Sequence, residues 1–152
     1  MHVRQASLEE AQLVHEIMRA AFAELRGALP VDSGAHSETV DDVLDVMRRG
    51  GAVLCFLDET AVGSARFMLE DDEMYVGRVA VLPSHRRRGI ASAMMGYLEQ
   101  QAASLGKGVV RIGVRDSLPS NVGLYQALGY ELVSIEPHPR GPDRVWTMIK
   151  RV

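Results

Sequence analysis

The 152-residue sequence has one cysteine, only two lysines (Lys107 and Lys150), and no apolar run long enough to span a bilayer. A single thiol makes no intramolecular disulfide. Cys55 lies in the apolar run Ala52 to Leu57 and is expected to be a buried core residue rather than a nucleophile. The first residues, Met1-His2-Val3-Arg4-Gln5, show neither an apolar targeting core nor a cleavage pattern, so a reducing cytoplasm is the expected location and no membrane partner is expected. Five histidines are scattered without metal-ligand spacing to one another or to Cys55, and no metal is expected. The net charge of −3 gives the molecule no general attraction for nucleic acid. Its one dense basic cluster, Arg86-Arg87-Arg88, lacks interleaved aromatic residues, so a nucleic-acid partner is not expected either.

What is present is enough for one domain with a real core: nearly half the residues are apolar and a quarter are charged. Val3 to Ala6 reads as a short strand. Ser7 and Glu10 form a capping box before a helix with Leu13, Ile17, Ala20, Ala21 and Leu25 as its apolar stripe. Leu29 to Ser37 is a loop, and Thr39 opens a second helix carrying Val43, Leu44 and Met47. Strands follow over Ala52 to Leu57, Ala61 to Leu69 and Glu73 to Leu82, separated by acidic turns. A long helix spans Ile90 to Leu105, then a strand Val109 to Val114, a short helix Ser120 to Leu128, and strands at Tyr130 to Ile135 and Val145 to Ile149. The order β-α-α-β-β-β-α-β-α-β-β defines a mixed α/β fold with a helical crossover between the fourth and fifth strands.

The chemistry concentrates between Val79 and Ser92. A strand ends at Pro83, a basic stretch follows, and Gly89 opens the long helix. Free N–H groups at a helix start and the positive end of its dipole make an anion site. Gly89 lets a phosphate approach bare backbone, small Ala91 keeps the first turn uncrowded, and the arginines add charge-assisted hydrogen bonds. No Gly-Lys-Ser/Thr ending is present, which excludes a nucleoside-triphosphate P-loop. A dinucleotide fingerprint would need two more glycines and an early βαβ unit.

Arg86-Arg87-Arg88-Gly89-Ile90-Ala91 resembles the Arg/Gln-x-x-Gly-x-Gly/Ala signature of the GNAT superfamily of N-acetyltransferases. Asn121-Val122-Gly123-Leu124-Tyr125 before Leu128-Gly129-Tyr130 is similar to that family's later motif, and the element order agrees across nearly the whole chain. The resemblance implies a mostly antiparallel sheet with a splayed fourth and fifth strand pair and helices on both faces. It implies acetyl-CoA as co-substrate, its pantetheine pairing with the backbone of Val79 and Val81. The pyrophosphate would sit on the amides from Arg87 through Gly89, Ile90 and Ala91 to Ser92, with Arg86, Arg87 and Arg88 supplying charge. Asn121 would steady the pantetheine arm, or else cap its helix. Tyr125, four residues on and on the same helical face, matches the tyrosine that protonates the leaving thiolate.

The base that takes the amine's proton is not assigned. Many relatives carry a glutamate where this chain has Tyr75; Glu73, two residues earlier, shares that strand face unless a bulge intervenes, and a water relay is the alternative. Glu24, Asp32, Glu38 and His36 lie where relatives form the acceptor site, and their acids would suit a cationic amine. The expected activity is transfer of acetyl to an amine of a small molecule or protein. The alternatives are an acyl-CoA-binding module without turnover on the same fold, and an acyltransferase with a longer acyl chain or a hydroxyl acceptor. The last hairpin could serve a homodimer.

Overall fold

The computed structural model describes residues 1–152. Seven strands form one sheet in the order β1-β2-β3-β4-β5-β7-β6, from β1 (His2–Gln5), β2 (Gly50–Leu57), β3 (Thr60–Glu70), β4 (Glu73–Val81), β5 (Val109–Arg115), β6 (Glu131–Pro137) and β7 (Arg144–Arg151). Helices α1 (Ala11–Phe22), α2 (Val40–Arg49), α3 (Ile90–Ser104) and α4 (Pro119–Ala127) complete the chain. Every strand pair is antiparallel except β4–β5, which α3 connects as a crossover.

Strand alternation divides the core into two layers. Val53 and Cys55 of β2 pack with α3 and α4 residues such as Met94, Leu98 and Tyr125. Ala52 and Leu54, pointing the other way, pack with Val14 and Ile17 of α1 and Val43 and Met47 of α2. Cys55 is fully buried, and burial pushes its thiol pKa up, so it is a core residue. The capping box forms as expected: the Ser7 N–H donates to Glu10 Oε1 at 2.9 Å, opening a short 3-10 turn before α1.

Two details differ from the sequence reading. The buried stripe of α1 is Ala11, Val14, Ile17, Met18 and Ala21, while Ala20 is exposed and Leu25 falls in a 3-10 turn past the helix. In addition, β2 begins two residues before the expected Ala52, at Gly50, and Gly51 pairs with Phe67.

The β4–β5 pair positions the site. Their register runs only from Glu73↔Val109 to Val76↔Ile112, yet β4 continues to Val81 and β5 to Arg115. Between Ser64↔Ala80 and Arg66↔Gly77, β4 carries one more residue than β3, a bulge at which Arg78 takes φ 50°. A bulge bends its strand and increases local twist, so β4 turns away from β5 and a wedge opens between them.

Candidate active site

The wedge is the mouth of a cleft of about 1260 Å³, by far the larger of the two principal concavities. Val79 and Val81 line its β4 wall. The Leu82 N–H donates to Val62 O at 2.9 Å, which points its backbone groups at β3; by alternation those of Val81 face the wedge. With β5 no longer paired there, that edge can accept an extended ligand as an added strand.

Gly89, Ile90, Ala91 and Ser92 line the next stretch. Gly89 is the N-cap of α3 with φ 77°, ψ 16°, and no side chain caps the helix. The first-turn N–H groups are therefore left to a ligand, as an anion site requires. An added Cβ on Gly89 would meet no protein atom within 4 Å, so its glycine serves the backbone conformation and the space in front of it, not packing.

The three arginines divide. Arg87, at φ 62°, lines the cleft. Arg86 also lines it, but its guanidinium pairs with Glu24 and donates to Ala21 O at 2.9 Å. Arg88 is exposed and does not line the cleft.

Asn121 and Tyr125 both line the cleft from α4. The helix is capped at Leu118 without a side-chain bond, so Asn121 is not its cap; it sits one turn in, exposed toward the opening. Tyr125 is 8% exposed, edge-on to Tyr130 at 5.8 Å between centroids. Burial pushes its phenol up to about 12.

Glu73 lies outside the cleft and pairs with Arg111 at 2.9 Å. No bulge separates it from Tyr75, whose side chain does line the cleft. The acids expected at the acceptor end are also engaged. Glu38 bridges Arg66 at 2.6 Å and Arg78 at 2.6 Å. Asp32 accepts from the Gly27 N–H at 2.8 Å, and Glu24 holds Arg86. Sequence reasoning missed Arg78, Arg115, His138 and Arg140, which line the cleft from β4, β5 and the β6–β7 loop. Strand period alone marked the first two as ordinary strand residues, and nothing local distinguished the others.

A sheet parted between a parallel strand pair, with an uncapped glycine-opened helix at the parting, is the architecture that the GNAT resemblance implies. The family model described as "Acetyltransferase (GNAT) family" matches residues 12–130, and the chain belongs to that family. Among solved structures, the PaiA N-acetyltransferase of Thermoplasma acidophilum, in complex with coenzyme A, superposes with a TM-score of 0.82 at 15% identity over 99% of this chain and 98% of that one. The ribosomal-protein-S18-alanine N-acetyltransferase of Escherichia coli gives 0.76 at 16% identity over 99% and 93%. YncA of Salmonella typhimurium, a putative acetyltransferase with acetyl-CoA, gives 0.77 at 17% over 99% and 92%. At such identities these likenesses establish the fold.

Proposed function

We propose that this chain transfers acetyl from acetyl-CoA to an amine, with the donor lying in the β4–β5 wedge. The observation that carries this reading is the continuity of one cleft from the free edge of β4, past the uncapped start of α3, to the buried phenol of Tyr125. The residues fit the donor: an unpaired strand edge suits an amide-bearing arm, and bare helix amides beside Arg87 suit a pyrophosphate. Asn121 stands at the opening to steady the arm.

The thioester supplies an activated acetyl group and a leaving thiolate. The chain's part is to hold the reacting ends together and to stabilise charge as it moves. Main-chain N–H groups near Val79 and Val81 serve the carbonyl oxygen when negative charge gathers there. Tyr125, with its pKa near 12, remains protonated at every working pH. Such a phenol holds its proton firmly and is a weaker acid than a free thiol. Tyr125 therefore acts by donating a hydrogen bond to sulfur as the bond breaks, and the proton that finally rests on the thiol is the one the amine gives up. Water takes that proton from the amine, since Glu73 is paired elsewhere.

The test is to incubate the protein with acetyl-CoA and a panel of amines while following free thiol and acetylated amine together. Equal amounts of both, dependent on protein, support transfer. Tight acetyl-CoA binding with no thiol released by any amine favours a binding module on the same fold.

A further inference from the structure

The cleft's acceptor end is cationic, opposite to what its sequence acids suggest. Of the residues lining the whole cleft, the only carboxylate is Glu24, and Arg86 neutralises it. Arg78 spends its Nε on Glu38, at 2.6 Å, leaving its terminal nitrogens free. Glu38 answers two arginines, Arg66 and Arg78, and Arg66 also feels the Asp42 carboxylate, but neither acid lines the cleft. Arg115 is balanced by Asp143 at 3.1 Å. Arg140 has no carboxylate partner; its one side-chain bond goes to Asp32 O at 2.9 Å.

Arg78 and Arg140 border the same short segment. Arg140 bonds Asp32, and an Arg78 terminal nitrogen lies 3.0 Å from where a Cβ on Gly34 would stand. His138 adds a donor. Its Nδ1 accepts the Arg140 N–H at 3.0 Å, which leaves the hydrogen of the neutral ring on Nε2. Burial, together with the fields of Arg115 and Arg140, lowers its pKa, so the ring is neutral and a donor at pH 7.

The walls of this end are tied together. Arg115 donates to Val31 O at 2.7 Å and to Asp32 O at 3.3 Å, and Arg140 joins it on Asp32. Gly141 sits so close to Val31 that a Cβ there would approach its Cγ2 to 2.8 Å. The segment before α2 and the β6–β7 loop thus meet, which suits a small acceptor better than an extended polypeptide crossing between them.

Building on the transferase reading, we propose that the acetyl acceptor is a small amine that also bears a carboxylate, and that Arg140 and Arg78 hold that carboxylate. Arg140, which has no carboxylate partner, and the free terminal nitrogens of Arg78 can accept a carboxylate, and both repel an acceptor whose only charge is an ammonium. Phe22, Leu25 and Leu29, which also line the cleft, offer an apolar wall to the rest of the molecule.

The experiment needs no turnover. The CoA-loaded protein is titrated calorimetrically with N-acetylglycine, N-acetyl-leucine and N-acetylmethionine, each as the free acid and as the carboxamide. The proposal expects at least one acid to bind about ten-fold or more tightly than its amide, the scale of a charge-assisted pair. It also expects Arg140→Gln, and independently Arg78→Gln, to remove most of that preference. Equal binding of every acid and amide, or no detectable acid binding, overturns it. So does an Arg140→Gln variant whose loss falls on CoA but not on dephospho-CoA, because the arginine would then serve the donor's 3′-phosphate. A preserved acid preference alongside absent thiol release would uphold the anion site and count against the transferase reading instead.

Discussion

Arg86 turns its guanidinium to Glu24 and to the carbonyl of Ala21, tying the loop before α3 to the end of α1. Its charge is thereby spent on shaping the cleft, and Arg87 is left as the arginine of the triplet that lines the cleft without a salt bridge. Arg87→Gln is expected to weaken acetyl-CoA binding by about ten-fold, as for loss of one charge-assisted hydrogen bond. Arg88→Gln, at an exposed position outside the cleft, should change it by less than about two-fold. Calorimetry on the two variants decides; equal losses would mean that the triplet acts only through overall charge.

Gly89 and Gly106 provide a matched pair. Both hold positive φ, 77° and 75°, and neither has an atom within 4 Å of an added Cβ. Gly89→Val and Gly106→Val should therefore lose similar stability, about 1 to 2 kcal/mol for the left-handed conformation. Only Gly89→Val should also weaken acetyl-CoA binding, because only it puts a side chain where the phosphate must approach. Melting curves with and without acetyl-CoA separate the two effects.

Glu38 is held between Arg66, 8% exposed, and Arg78. Burial opposes its charge, but the hydrogen bonds and fields of the two arginines outweigh it and keep its carboxyl below the usual range. Glu38→Gln leaves buried Arg66 without its direct ion-pair partner and should cost about 3 kcal/mol in a denaturant titration. The sign in pH follows from a depressed carboxylate: the stabilisation is present above its unfolded pKa and fades as pH falls through the folded one.

The tyrosines set the alkaline limit. Tyr125 is raised by burial to about 12, and Tyr130 is raised by burial and then by Glu99, whose carboxylate accepts its hydroxyl at 2.9 Å. Unfolded phenols ionise near 10. Above that pH the unfolded chain releases protons that the folded one keeps, so stability falls by up to roughly 1.4 kcal/mol per pH unit for each tyrosine. Melting midpoints should decline steeply above about pH 10, and Tyr125→Phe should make the decline shallower.

Local signals carried the fold a long way. Gly89 before an apolar-periodic helix, the Ser7–Glu10 box and the paired apolar strands are properties of neighbouring residues, and each is found where the chain's spacing placed it. The acceptor end was not legible for the opposite reason. Glu38 meets Arg78 forty residues on, while the Asp32 main-chain carbonyl, not its carboxylate, meets Arg140 from 108 residues away. A lone acid in the sequence says nothing about which distant arginine neutralises it, so a region rich in acids becomes a cationic pocket. Which apolar positions of α1 face the core is decided by packing on the sheet and α2: Ala11, Val14 and Met18 are buried beside Ile17 and Ala21, while Ala20 is exposed.

The central claim is that chemistry takes place in the wedge with Tyr125 at the leaving sulfur. The most direct measurement is steady-state kinetics of Tyr125→Phe beside the unaltered chain, with a good acceptor and with melting curves at neutral pH. The ring and its edge contact with Tyr130 are kept, so the acetyl-CoA Michaelis constant and the melting midpoint should barely move. The turnover number should fall by about ten-fold or more, the mark of a contact made mainly in the transition state. Unchanged turnover in the phenylalanine variant would contradict the account and leave Tyr125 as a packing residue.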